Sequence, residues 1–266
     1  MTCQRCDRLV CGECSSQASV GVHCPECRKG NSQQVYTARN LPGQNFVVTT
    51  GLVAINVIVF VITIVFFGST VNSISNEAVQ YSTFGPLIAD GEFWRIFSGG
   101  FLHSGIFHVG FNMYLLWAFG RQLEKELGSV EFVLAYVVSL IGGSFGAMLL
   151  SPNTPVVGAS GAVFGVVAMM VLFYRSRGIG LFDTSLGFLV LINVFFSFQG
   201  GVSLGGHAGG FAAGLIIGTL VFGFQPADPP LMEKGNARLM ALVALGLVLI
   251  GATYAASLTY QNPLFG

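Results

Sequence analysis

Four polar side chains stand out in an otherwise apolar chain. Ser160 lies in VGASGAVFG (157–165) and His207 in SLGGHAGGFAAGL (203–215), while His108 and Asn112 share HSGIFHVGFNMYLLW (103–117). A serine hydroxyl is a weak nucleophile at neutral pH. An adjacent imidazole can take its proton during attack and return it to a leaving amine. The resulting oxyanion needs preorganised donors, and the Asn112 amide, the His108 ring N–H and the Ser160 backbone N–H are candidates. No Asp or Glu lies in the apolar stretches at the same level, so a Ser-His dyad is expected rather than a triad with a carboxylate. A second constellation sits at the start of the chain. Cys3/Cys6, Cys11/Cys14 and Cys24/Cys27 form three C-x-x-C pairs, the spacing of zinc ligands.

Composition says what must position these groups. Hydrophobic residues make up 53% and charged residues 9%, against about 25% charged in soluble proteins. Formal net charge is +0, which implies no general attraction to nucleic acid. Seven stretches approach the roughly 20 apolar residues of a membrane span: about Phe46–Gly68, Gly105–Gln122, Phe132–Ser151, Gly158–Tyr174, Leu181–Phe198, Leu204–Phe224 and Ala237–Leu258. All six cysteines precede Arg28, and the polar first forty residues lack the apolar region of a cleavable signal peptide. The expected organisation is a cysteine-rich zinc-binding head (1–30), a linker (31–45), a six-helix core (46–224), a Pro-rich linker (225–236) and a seventh membrane helix (237–258).

With the head inside, every Lys and Arg except Arg95 falls on the inner side. The positive-inside rule therefore predicts a cytoplasmic N-terminus, and seven spans put the C-terminus outside. The compartment expected is the bacterial plasma membrane. The long outer segment 69–104, with Phe93 and Trp94, is expected to form short helices at the headgroup layer. In this arrangement the second, fourth and sixth spans all carry their polar residues near the outer end. His108 and Asn112 are four apart and share a face. Gly158, Gly161 and Gly165 on the fourth span, and Gly206, Gly210, Gly214 and Gly218 on the sixth, allow close helix approach. Ser160 and His207 are thus expected within hydrogen-bond reach.

These motifs resemble those of the rhomboid family of intramembrane serine proteases. The resemblance covers about Phe46–Phe224 and rests on Trp94-Arg95, HSGIFHVGFN, GASG and HAGGFAAG, in that order. It implies an all-α membrane fold with a six-helix core, the seventh helix matching an extra C-terminal helix of some members. It implies Ser160 as nucleophile, His207 as general base, and His108 and Asn112 as oxyanion stabilisers with the Ser160 amide. It also implies a ring stacked on the catalytic histidine at Phe164, a loop histidine at His103, and a structural, loop-anchoring role for Trp94-Arg95. Catalysis would need no cofactor. The implied substrates are transmembrane segments of single-span or other membrane proteins within the lipid bilayer, cut near the outer face. Such a segment must unwind locally to expose its carbonyls, so Gly or Pro in it should favour cleavage.

The head resembles B-box-like modules that cross-brace two zinc ions. That arrangement implies one zinc on Cys3, Cys6, Cys24 and Cys27. Cys11 and Cys14 would then need a pair upstream of Met1, from a start earlier than the present one, or a poorer site completed by His23. Other readings carry less of the sequence. A lone membrane serine is usually a packing residue. A relative that binds and sorts transmembrane segments without cutting them is the main alternative, but such relatives usually lack the serine or the histidine. A proton-coupled transporter using His207 would be expected to carry membrane acids and broken-helix repeats, and the spans show no acid.

Overall fold

The structure is a computed structural model, which describes residues 1–17, 21–29, 46–198, 201–226 and 228–258. The expected linker 31–45, with Arg39, lies outside the described residues. The chain divides into two compact units, Met1–Asn45 and Phe46–Gly266.

The first unit is small. Strands β1 (Ser16–Gln17) and β2 (Val22–His23) pair antiparallel, with Ser16 opposite His23. Helix α1 (Pro25–Lys29) follows, with Pro25 at its first position and Glu26 in its first turn, where a missing N–H costs nothing and a negative charge meets the helix dipole. Its buried apolar cluster is Cys3, Val10 and Cys24. That is too little burial to hold a fold without a cross-link.

The second unit is helical and is that of a multi-pass membrane protein. Helix α2 (Val47–Phe67) ends at Gly68, which adopts φ +71° and returns its N–H to the Thr63 carbonyl; glycine takes this left-handed cap without strain. The long connection forms short helices α3 (Asn76–Val79), α4 (Gly85–Ala89) and α5 (Arg95–Ser98). Helix α6 (Ile106–Leu115) runs through a π-helical segment, Leu116–Gly120, into α7 (Arg121–Leu127). Then come α8 (Ser129–Leu150), α9 (Ser160–Ser176), α10 (Ser185–Ser197), α11 (Leu204–Phe222) and α12 (Asn236–Ser257).

Among the described residues, four helices are long and apolar enough to cross a membrane: α2, α8, α11 and α12. The other three expected spans are shorter. The second is broken by the π segment, while α9 and α10 have 17 and 13 residues. The length rule describes a helix facing lipid, whereas α9 is buried over most of its length, so protein and not lipid sets its ends.

Helix α11 is the wedge of the bundle, and glycine lets it in on two sides. A Cβ on Gly205 or Gly209 would strike the backbone of α8 at Gly146 or Gly142. One on Gly210 or Gly214 would strike the α9 carbonyls of Gly161 or Gly165. The sequence suggested only the second row. Away from Ser160, polar ties close the bundle. The Glu124 carboxylate accepts the amides of Val48 and Thr49 at 3.0 and 2.8 Å and the Ser129 hydroxyl at 2.7 Å. Arg238 of α12 pairs with Glu131 in the first turn of α8. Glu131 lies one residue before the expected span, but α8 starts at Ser129 and buries it, and its partner Arg238 makes burial of the charge tolerable.

Candidate active site

Ser160 opens α9, and the segment leading to it is fixed by the outer connection. Val156 and Thr83 exchange backbone hydrogen bonds of 2.9 and 3.0 Å, and the Gly158 N–H donates to the Gly99 carbonyl at 2.9 Å. The Thr83 hydroxyl in turn donates to the Arg95 carbonyl at 3.0 Å. Arg95 is buried. Its Nε donates to Glu92 at 2.7 Å, its guanidinium reaches the carbonyls of Gln80 and Ser82, and it lies 4.5 Å over the Trp94 ring. These bonds are those of a loop anchor.

Gly158 has φ +128°, a conformation side chains rarely adopt, and a Cβ there would lie 2.7 Å from His108 Cε1 and Nε2 and 3.5 Å from Ser160 Oγ. The His108 ring and the Ser160 hydroxyl therefore flank one point beside Gly158. On its other side, His108 Nδ1 accepts the Ser104 N–H at 3.4 Å and meets the Ser104 hydroxyl at 3.0 Å. With Nδ1 accepting, a neutral ring carries its hydrogen on Nε2, the nitrogen facing Gly158. Asn112 lies one turn further along α6 and is 4% exposed; its Nδ2 has no hydrogen-bond partner among the described residues. His103 is buried, packs edge-on to His108 with centroids 5.0 Å apart, and accepts the Ala159 N–H on Nε2 at 3.5 Å.

His207 sits in the first turn of α11, whose start is capped by the Ser203 hydroxyl accepting the Gly206 N–H at 3.0 Å. Phe164 stacks on its imidazole, centroids 4.0 Å apart and planes 18° from parallel. Phe164 is four residues beyond Ser160 and shares its face of α9, so the stack brings the imidazole to the serine's side of the seam. Ser160 and His207 share no hydrogen bond among the described residues; such bonds are often long before substrate binds. The imidazole also meets Ser197 of α10, whose Oγ lies 2.6 Å from Nδ1. Behind Ser160 a cavity of about 20 Å³ is bordered by Ser144, Ser203 and Gly206 among others, enough for one water.

The structure thus gathers Ser160, His207, His108, Asn112, His103 and Phe164 at one end of the bundle. Sequence reasoning missed Ser197 and Ser104. The available signals were the four-residue spacing of Asn193 and Ser197 in an apolar run, and of Ser104 and His108.

In the head, the ligand atoms of Cys3, Cys6, Cys24 and Cys27 all lie within 4.8 Å of one another. Cys6 and Cys24 sulfurs are 3.7 Å apart, close to the roughly 3.8 Å edge of a tetrahedral zinc–thiolate site with 2.3 Å bonds. The Cys24 and Cys27 amides donate to the sulfurs of Cys3 and Cys24 at 3.3 and 3.4 Å. Hydrogen bonds from the Cys24 and Arg5 amides outweigh burial and lower the Cys3 thiol to about 6, while hydrogen bonds to the Cys24 and Cys6 sulfurs hold Cys27 up, so the case for a metal rests on the geometry of the four sulfurs. The four residues fit a metal ion. Cys11 and Cys14 stand outside this group, exposed and beside each other, with the Cys14 N–H 3.2 Å from the Cys11 sulfur.

Comparison with known proteins agrees with this geometry. A family model described as "Rhomboid domain" matches residues 90–224, which hold the whole constellation from Trp94 to His207. The chain is 32% identical over 202 residues to Rhomboid protease GluP of Bacillus subtilis (strain 168), covering 72% of this chain and 38% of the relative. It is 34% identical over 154 residues to RHOMBOID-like protein 1 of Arabidopsis thaliana, covering 55% and 39%. It is 33% identical over 144 residues to Rhomboid-like protease 1 of Toxoplasma gondii, covering 51% and 49%. The chain spans less than half the length of each of these relatives. The matched segment, the order of its motifs and the packing of α6, α9 and α11 around them lead to one conclusion: the chain belongs to the rhomboid family.

Proposed function

We propose that the chain is an intramembrane serine protease that cuts transmembrane segments of other membrane proteins near the outer face. Ser160 Oγ attacks the scissile carbonyl carbon while His207 takes its proton. The oxyanion accepts hydrogen bonds from the Asn112 amide, the His108 Nε2–H and the Ser160 N–H. The C–N bond then breaks as His207 returns the proton to the leaving amine. Water, activated by the same imidazole, hydrolyses the acyl-enzyme and restores Ser160. The observation that carries this reading is the pair of close approaches at one point: Phe164 stacked on His207 beside Ser160, and His108 against Gly158. The buried Asn112 Nδ2, without a partner among the described residues, supports it, since a buried donor left unpaired is costly unless something else uses it. Two named relatives are described as rhomboid proteases or rhomboid-like proteases.

Reconstitution with a tagged single-span substrate tests the reading. Ser160→Ala and His207→Ala are each expected to lower cleavage about a thousandfold or more, and the double variant no further, as for residues that act as a unit. A fluorophosphonate probe should label wild type and spare Ser160→Ala. If both single variants cleave at the wild-type rate, the protease reading is wrong. If wild type itself binds transmembrane segments and never cuts them, a sorting role replaces it.

The distribution of Lys and Arg supports a cytoplasmic N-terminus, an outside C-terminus and, for a bacterial cell, the plasma membrane. For the head, the reading is one zinc on Cys3, Cys6, Cys24 and Cys27, which would clamp the module and take no part in proteolysis. Metal analysis is expected to find about one zinc per chain, lost in Cys3→Ser; a ratio near zero would end the zinc reading.

A further inference from the structure

His207 has a contact that a two-residue mechanism does not use. Ser197 Oγ lies 2.6 Å from His207 Nδ1, and both residues are buried, 5% and 8% exposed. A hydroxyl carries one hydrogen. That of Ser197 has a second neighbour, the Asn193 carbonyl one turn back on α10, at 2.8 Å. A carbonyl can only accept, so the Ser197 hydrogen points to Asn193. The Ser197 oxygen then offers the imidazole lone pairs alone, and Nδ1 must supply the hydrogen. On a neutral ring this leaves Nε2 bare.

We propose that Ser197 is a positioning residue that holds His207 in its Nδ1–H tautomer. The catalytic meaning of this rests on the protease reading above; the tautomer does not. In that reading the bare Nε2 is the nitrogen that takes the Ser160 proton, and the new positive charge on the ring is met by a hydroxyl dipole backed by the Asn193 carbonyl. A neutral hydroxyl costs far less to bury than a carboxylate, so α10 supplies the orienting partner that the spans lack among their acids. His108 is set the opposite way: its Nδ1 accepts from the Ser104 backbone, leaving an Nε2–H donor. Two serines thus fix two histidines as opposite tautomers, one to accept a proton and one to donate a hydrogen bond.

The test uses the full chain in detergent or bicelles with ¹⁵N-labelled histidine rings, His207 being assigned by its loss in His207→Ala. Near neutral pH, wild type is expected to show His207 Nδ1 protonated and Nε2 unprotonated. Ser197→Ala should lose this preference and show both tautomers, and Ser197→Thr, which keeps the hydroxyl, should restore it. Cleavage kinetics run in parallel. Ser197→Ala is expected to lower kcat about tenfold with KM within about twofold, a fraction of the general-base contribution, and Ser197→Thr to recover most of it. A purely structural role would give lost activity with unchanged ring signals. That result, or wild-type His207 found as Nε2–H, overturns the proposal. Failure of the protease reading shows instead as cleavage retained in Ser160→Ala, so the two can fail separately.

Discussion

Where α11 meets α8 and α9, backbone lies against backbone; where α10 meets the same bundle, side chains carry the contact, Leu186, Leu189 and Val190 against the core and Asn193 and Ser197 buried beside them. The first region is closed by glycines on both faces of α11 and leaves no room for a methyl group. The second turns Phe188, Leu191, Val194 and Phe195 outward and buries Leu186, Asn193 and Ser197 inward. The difference teaches how labour is divided at this site. Ser160 and His207 ride on rigid, mutually interlocked helices, so their relation is fixed by main chain, whose positions packing determines tightly. The group that orients the imidazole rides on α10, held by side-chain packing, and meets His207 through one hydrogen bond.

That contrast can be broken by substitution. The largest effect is expected from Gly210→Val, whose side chain would be driven into the Gly161 carbonyl. We expect a loss of roughly 3 kcal/mol or more, the upper range for overpacking, read as failure to recover folded protein or as a collapse of thermal stability in detergent. Next comes Gly158→Ala. It combines an unfavourable φ with a Cβ 2.7 Å from the His108 ring, outside the seam itself. Cleavage should fall about a hundredfold, in the range for losing an oxyanion donor, while the melting temperature falls by much less than in Gly210→Val, since the strain is confined to one residue.

A third variant probes the polar tie that holds α2. Burial opposes ionisation of Glu124, but the Thr49 and Val48 amides and the Ser129 and Thr49 hydroxyls prevail and hold its carboxyl below the ordinary range. A depressed folded value means the stabilisation is present above the ordinary carboxylate pKa and fades as pH falls through the folded one. Glu124→Gln should therefore lower stability by about 1–2 kcal/mol near neutral pH and flatten the acid limb of stability against pH. Smallest of all, Leu191→Ala on the outward face of α10 should change stability by no more than about 0.5 kcal/mol and cleavage by less than about twofold. A Leu191→Ala penalty matching that of Gly210→Val would erase the distinction between the two regions.

Much of this was legible in the sequence, for a physical reason. Apolar runs announce helices, so each expected span has a helix at its place, and small residues at four-residue spacing announced the α9 contact of α11. C-x-x-C spacing announced that the two thiols of each pair lie close, and the resemblance to cross-braced modules implied that Cys3/Cys6 would meet Cys24/Cys27. What stayed hidden depends on partners distant in the chain. The second glycine row, Gly205 and Gly209, reads as mere repetition until α8 is laid against it. Glu131 sits one residue outside the apolar run, and only Arg238, 107 residues on, makes its burial affordable. Ser197 is a single hydroxyl among Phe and Val, indistinguishable by composition from a packing residue. The widened turn at Leu116–Gly120 has no local signature, because Leu, Trp, Ala and Phe suit a regular helix equally well.

That widened turn has a bearing on how the two ends of the molecule stay in step. Each residue of a regular helix rotates the next by about 100°, and a π segment acts as one residue inserted without lengthening the message on either side. Upstream, His108 and Asn112 are phased to the nucleophile; downstream, Glu124 is phased to the start of α2. Removing one residue between them would leave a single helix unable to serve both appointments, and whichever end won, the other would be turned away from its partners.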